Sequence, residues 1–338
     1  MQGATGPCVF MAVLVVSLGF ALSVGRFNIP LDAVVGIVLD PLMPSAHSWS
    51  TTEAHVVWGV RIPRALLGGT IGAGLAVAGA ALQSIFRNPL ADTQILGVSS
   101  GAAFGGVLGI IFFSTGWPAM AGAFLGGLAA LASIFWLAGG QRPQQGGTVM
   151  LVLAGLVVSA VGSAGIALLK YAADPDNQLP AVVFWLLGSL AAADNERLWI
   201  ALVPIGVSTV TILGLRFHLS ALAVGEEDAN RLGIPVRTLK ILALLATGMI
   251  TAASVAVSGI IGWVGLVVPH LIRLSIGSNY RWFFLNTLLA GASYLIIVDT
   301  AARTLVAAEI PLGALTSLLG APIFAILLRR LARERAHG

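Results

Sequence analysis

The chain has 338 residues, of which 57% are hydrophobic and only 9% charged, and its net charge is +4. A soluble domain carries about 25% charged residues, so this composition excludes an ordinary water-soluble fold and points to a protein solvated by lipid. One cysteine, Cys8, excludes an internal disulfide framework and a cysteine-held metal cluster.

A helix crosses a bilayer with about 20 apolar residues. The first candidate, Cys8–Gly25, follows a segment with no positive charge and precedes no clear small-x-small cleavage site, so it reads as a retained helix rather than a signal peptide. Further spans are predicted at Ile62–Phe86, Ile95–Ser114, Pro118–Gly139, Thr148–Leu169, Leu198–Leu215, Leu239–Val257, Ile261–Leu274, Phe283–Val306 and Leu312–Leu328. The eighth is short and needs neighbouring protein to shield its ends. Ala181–Ala193 is too short to span and is expected as a re-entrant or surface helix. Glycines at four-residue spacing (Gly101, Gly105 and Gly109; Gly122 and Gly126) predict close helix packing. The predicted fold is therefore all-α: one polytopic membrane domain over residues 1–338 with about ten transmembrane helices.

Orientation follows from the basic residues in the connections. With the N-terminus inside, twelve Lys and Arg fall on the cytoplasmic side and six outside, which favours both termini in the cytoplasm. The positive charge belongs to membrane topology, and no nucleic-acid partner is expected.

The two lysines, Lys170 and Lys240, follow Leu169 and Leu239, so no Gly-x-x-x-x-Gly-Lys-Ser/Thr phosphate loop exists. Any ATP is bound by a separate subunit. The five histidines are scattered and no Gly-x-Ser-x-Gly elbow occurs, so the chain is expected to be a transport component rather than an enzyme, with no cofactor or metal of its own. The rival class is a secondary transporter driven by an ion gradient, which needs acids within its spans. Asp299 is the one acid near a span interior, and Arg303 lies beside it, one turn away.

The polar excursion over residues 219–235 reads as a short, well-stopped cytoplasmic helix. Gly225 caps it, and Glu226, Glu227 and Asp228 fill a first turn where negative charge suits the helix dipole. Glu227 and Arg231 are four apart, Gly233 suits a left-handed end, and Pro235 blocks continuation. The preceding turn is expected to present Leu219, Leu222 and Ala223 as an apolar surface. A solvated loop and a docking element both fit these residues.

Ordered blocks from Arg61 to the C-terminus carry a family pattern. They are Arg61-Ile62-Pro63-Arg64, Gln83-Ser84-Ile85-Phe86-Arg87-Asn88-Pro89-Leu90-Ala91-Asp92, Leu96-Gly97-Val98-Ser99-Ser100-Gly101-Ala102, Phe184-Trp185-Leu186-Leu187-Gly188-Ser189-Leu190, the Gly225–Gly233 excursion, Gly259 through Val268-Pro269-His270-Leu271-Ile272-Arg273, and Leu312-Gly313 through Ala321-Pro322. Together they closely resemble the permease subunits of the ATP-driven vitamin B12, iron–siderophore and haem importers. The resemblance implies two inverted-repeat halves, a homodimer in the inner membrane of a prokaryote, two ATPase subunits that carry ATP and Mg, a soluble substrate-binding protein on the outer face, and alternating access. Similar permeases also carry oxyanions such as molybdate. Residue by residue, it implies docking of the binding protein at Arg61, Arg64 and Arg303. It places a cytoplasmic gate at Asn88, Leu90 and Thr148, and ATPase coupling at Leu222, Glu226, Glu227, Asp228 and Arg231. Span five, the Ala181–Ala193 helix and span ten are expected to line the pathway.

Overall fold

The structure, a computed structural model, describes residues 5–42, 49–139, 147–276 and 280–337. In chain order its helices are α1 (Thr5–Ser23), α2 (Leu31–Leu39), α3 (Thr51–His55), α4 (Ile62–Phe86), α5 (Val98–Phe112), α6 (Trp117–Ala138), α7 (Gly147–Ala172), α8 (Gln178–Leu186), α9 (Asn195–Gly214), α10 (Arg216–Val224), α11 (Glu226–Arg231), α12 (Val236–Ser258), α13 (Val264–Ile276), α14 (Tyr280–Thr304) and α15 (Leu312–His337). No strand occurs among the described residues. Seven helical rods are long and apolar enough to cross a membrane, and α5, α13 and α15 are shorter apolar helices. Each predicted span has its helix, and α8 covers the first half of the expected re-entrant segment, residues 187–193 being turns and irregular chain.

Small residues decide which helices sit at the centre. In the most apolar stretch of α4 and of α12, 78% of residues are buried, against 22% in α7. The glycine and alanine face of α4 lets α13 and α14 approach its backbone, and the carbonyl of Gly265 leaves no room for a Cβ on Gly79. The four-residue glycine repeats form the α5–α6 contact, where Gly105 and Gly122 pack backbone to backbone. Around this centre α1, α6, α7 and α9 turn large apolar faces outward, among them Val15, Leu125, Leu156 and Val207. Such a surface is stable in hydrocarbon, where no hydrophobic force drives it inward.

Three elements depart from expectation. The second rod begins at Thr51, not Ile62, because α3 runs through a π-helical turn at Val56–Arg61 into α4. Pro63 lacks a backbone donor, and a wider turn ahead of it takes up the loss. Next, α2 and α3 build a small cap with its own core of Ile29, Val34, Ile37 and Val57. Trp58 Nε1 donates to the Ile37 carbonyl at 3.2 Å, fastening the cap to the rod. At nine residues α2 is too short to register as a span, and its burial depends on partners about 20 residues away. Finally, the third span is split: a 3₁₀ turn at Thr93–Leu96 ends at Gly97, in a left-handed conformation (φ 73°), before α5 starts.

The shortness of α13 has a visible cause. The loop before it packs inside the protein, with Gly259 at φ 71° and Trp263 at φ 70°. A left-handed tryptophan is strained, and it is held by an edge-to-face contact with Phe324 of α15, centroids 6.1 Å apart. The same region closes α8 onto its neighbours. Ser189 N donates to the Ser258 carbonyl at 2.8 Å, Leu312 N to Gly188 at 2.9 Å, and Gly313 N to Leu187 at 3.0 Å. Irregular backbone between membrane helices is tolerated here because it is shielded and hydrogen-bonded.

Candidate functional site

The N-terminal end of α4 gathers the predicted docking arginines. The structure brings Arg61, Arg64 and Arg303 together, but it gives each guanidinium partners inside the protein. The nitrogens of Arg61 donate to the carbonyls of Leu22, Ser23 and Phe27, and Arg303 donates to the carbonyl of Ala21. Both cations therefore satisfy the last turn of α1, where orphan carbonyls and the dipole favour positive charge. Arg64 is held by acids. Its Nε and Nη2 donate to Asp299 at 2.9–3.2 Å, and its Nη1 and Nη2 to Glu309 at 3.0 and 3.1 Å. The Asp299–Arg303 pair that one-turn spacing would allow gives way to Asp299–Arg64, across 235 positions. Arg64 takes both oxygens of Asp299 at once, while the guanidinium of Arg303 is turned to the Ala21 carbonyl. Asp299 supplies no unpaired acid of the kind an ion-driven transporter needs.

At the opposite end of α4, 25 residues or about 37 Å away, lie the predicted gate and coupling residues. Arg87 ends α4 in a left-handed conformation, φ 48°. Asn88 Oδ1 accepts from Leu90 N at 3.0 Å, and Asn88 O from Ala91 N at 3.1 Å, a self-bonded turn of the kind Asn-Pro sequences favour. Asn88 is exposed and lines a cavity of about 220 Å³ together with Arg273, Ser220 and Phe283; Leu90 is half-buried and lies outside it. Thr148 falls within the first turn of α7, but its side chain lies outside the described residues.

The coupling excursion folds as two helices. Gly225 caps α11, whose first turn holds Glu226, Glu227 and Asp228, and Gly233 is left-handed at φ 76°. The charges pair differently from the expected Glu227–Arg231 contact. Arg231 reaches Asp228 at 3.8 Å with both side chains exposed, and Glu226 takes Lys240 of α12. The apolar surface also differs. Leu219 and Leu222 are fully buried in the main core, so Leu222 is a packing residue here. Its ridge faces α4, because α10 lies against that helix. The apolar groups actually presented are Val224 and Leu232, 68% and 72% exposed, flanking exposed Glu227, Asp228 and Arg231.

Three site residues escaped the sequence. Glu309 sits on the seven-residue linker between α14 and α15, and nothing local signals its bond to Arg64. Gln83 stitches three elements: Nε2 donates to Ala91 O at 3.3 Å and Gly265 O at 3.2 Å, while Oε1 accepts from Arg273. Asp92 N-caps the 3₁₀ turn through Thr93 N at 2.7 Å and abuts the start of α13. Desolvation there holds its carboxyl above the usual range, against the pull of the Thr93 hydrogen bonds. The block Gln83–Asp92 hinted at Gln83 and Asp92 by placing polar residues where a span ends.

The fold and site are those of a helical membrane bundle with a buried charge lock at one end and an exposed acidic helix at the other. A model of the FecCD transport family matches residues 13–330, and the chain belongs to that family. It is 42% identical to the hemin transport system permease protein HmuU of Yersinia pestis, over 85% of this chain and 88% of that protein. It is 38% identical to the molybdate import system permease protein MolB of Haemophilus influenzae, over 95% and 94%. A solved inward-facing structure of a metal-chelate type ABC transporter superposes with a TM-score of 0.85 at 36% identity, covering 96% of this chain and 98% of that one. The chain is thus a multi-pass permease of the ABC importer class.

Proposed function

We propose that the chain works as a homodimer with two separate ATPase subunits and a soluble substrate-binding protein. In this reading it carries an iron chelate, haem or cobalamin across the cytoplasmic membrane of a prokaryote by alternating access. The observation that carries the reading is the exposed surface of α11. Glu227, Asp228 and Arg231, with Val224 and Leu232 beside them, stand exposed, with one Asp228–Arg231 contact at 3.8 Å, and offer a cytoplasmic ATPase a charged, apolar-edged surface. ATP and Mg²⁺ belong to that subunit, because this chain has no phosphate loop. The apolar face of α7, with Leu153, Leu156 and Val161 exposed, suits a second copy across a shared pathway. Asn88 and Leu90, with Thr148, would part at the cytoplasmic gate when α11 moves. On the other side Arg61, Arg64 and Arg303 steer an acidic binding protein, since fixed positive charge speeds and registers encounter. Lipid surrounds the remaining apolar faces, and the 338 residues act as one domain.

For the substrate, the relatedness to HmuU favours a haem-like chelate, and the long match to MolB favours an oxyanion as the second reading. Capture of the soluble partner on immobilised permease, followed by native mass spectrometry of its bound ligand, separates them. A tetrapyrrole, corrinoid or ferric chelate is expected. Molybdate in that pocket would replace the chelate reading.

A further inference from the structure

A guanidinium grips carboxylates along planar edges, and both forked edges of Arg64 are filled. Asp299 takes the Nε–Nη2 edge and Glu309 the Nη1–Nη2 edge. The two acids differ in access: the Asp299 side chain is 6% exposed and the Glu309 side chain 28%. Asp299 lies on the packed helix α14, whereas Glu309 lies on the linker between α14 and α15. An external carboxylate can therefore reach Arg64 only along the edge that Glu309 holds.

The linker is also tied to the pathway side of the protein. Ile310 N donates to Ala302 O at 3.0 Å, next to Arg303. Leu312 N and Gly313 N then donate to Gly188 and Leu187, the residues that end α8, with Gly188 left-handed at φ 75°. Glu309 is thus three residues from the bonds that fix the end of α8 to the start of α15.

We propose that Glu309 is a positioning residue: an internal stand-in for the binding protein's acid, whose displacement from Arg64 on docking loosens the linker and frees the α8–α15 junction. The proposal rests on docking of an acidic partner at Arg64. A linker carboxylate that only stabilised the fold would weaken the protein when removed and leave docking unimproved.

The test uses full-length permease in nanodiscs and the soluble binding protein captured on it. Glu309→Gln should tighten docking roughly tenfold, the size of a typical coupling between sites. Glu309→Asp, which keeps the carboxylate, should stay within about twofold of wild type. Arg64→Lys keeps a charge opposite Asp299 but loses the fork, and should weaken docking about tenfold. In wild-type permease, adding the binding protein should speed amide exchange at Leu312 and Gly313; this arm needs no variant to fold. Unchanged or weaker docking in Glu309→Gln, or unchanged exchange at those amides, overturns the role of Glu309 while Arg64→Lys still reports docking. Docking indifferent to Arg64→Lys removes Arg64 from the docking face, and the proposal falls with it.

Discussion

The two ends of α4 use charge in opposite ways. At one end, buried Arg61, Arg64 and Asp299 and half-buried Arg303 are matched with partners far along the chain, so the charges fasten α1, α4 and α14 to each other. At the other, Glu227, Asp228 and Arg231 stand on a six-residue helix, exposed, with contacts no longer than one turn. Buried pairs resist removal because a lone buried charge is costly, whereas exposed pairs contribute little to stability. Charge at the first end is already engaged in the fold, so a partner must compete for it, whereas charge at the second stands open to a partner.

Substitutions can break or sharpen that contrast. Asp299→Asn strips Arg64 of its buried acid and should cost about 3–5 kcal/mol, measured as loss of thermal stability of the purified permease; a cost no larger than that of a surface change would erase the contrast. Arg61→Gln leaves carbonyls of the α1 last turn without a cation and should cost about 1–2 kcal/mol, with faster amide exchange in α1 than in α12. Reversing Arg61 and Arg303 to acids is accordingly a test of folding before it is a test of docking. Joint reversal of Glu227 and Asp228 to Lys gives up their favourable place at the helix N-terminus and should cost about 1 kcal/mol, yet lower capture of the ATPase at least tenfold in a pull-down with purified subunits.

The smallest effect concerns pH. Asp92 binds its proton more tightly in the folded protein than in the unfolded chain, because burial raises its carboxyl. Its contribution is full below the usual carboxylate range, near 4, and is lost as pH rises through the raised value. Asp92→Asn should flatten that part of the stability–pH curve and leave alkaline stability equal or higher.

The same division explains what could be read from the chain. Span positions follow from local composition, so the ten helices, α8 and the Gly225-to-Pro235 excursion were all legible. The glycine repeats gave the α5–α6 contact because a four-residue period on one helix finds the same period on the next. The Arg64–Asp299–Glu309 lock was not legible, since it depends on α4 meeting α14 across more than 230 residues. Local spacing favoured Arg303 as the partner of Asp299, and packing chose otherwise. Leu222 was misplaced for a related reason: an apolar turn on a polar excursion reads as exposed until α4 is known to lie beneath it.

The most direct test is uptake into proteoliposomes that hold the permease with its ATPase and the loaded binding protein, with no ion gradient imposed. Uptake that requires hydrolysable ATP, and that stops when a non-hydrolysable analogue is supplied, is the result expected of an ABC importer permease. Uptake that proceeds without ATP once a proton or sodium gradient is applied would contradict it.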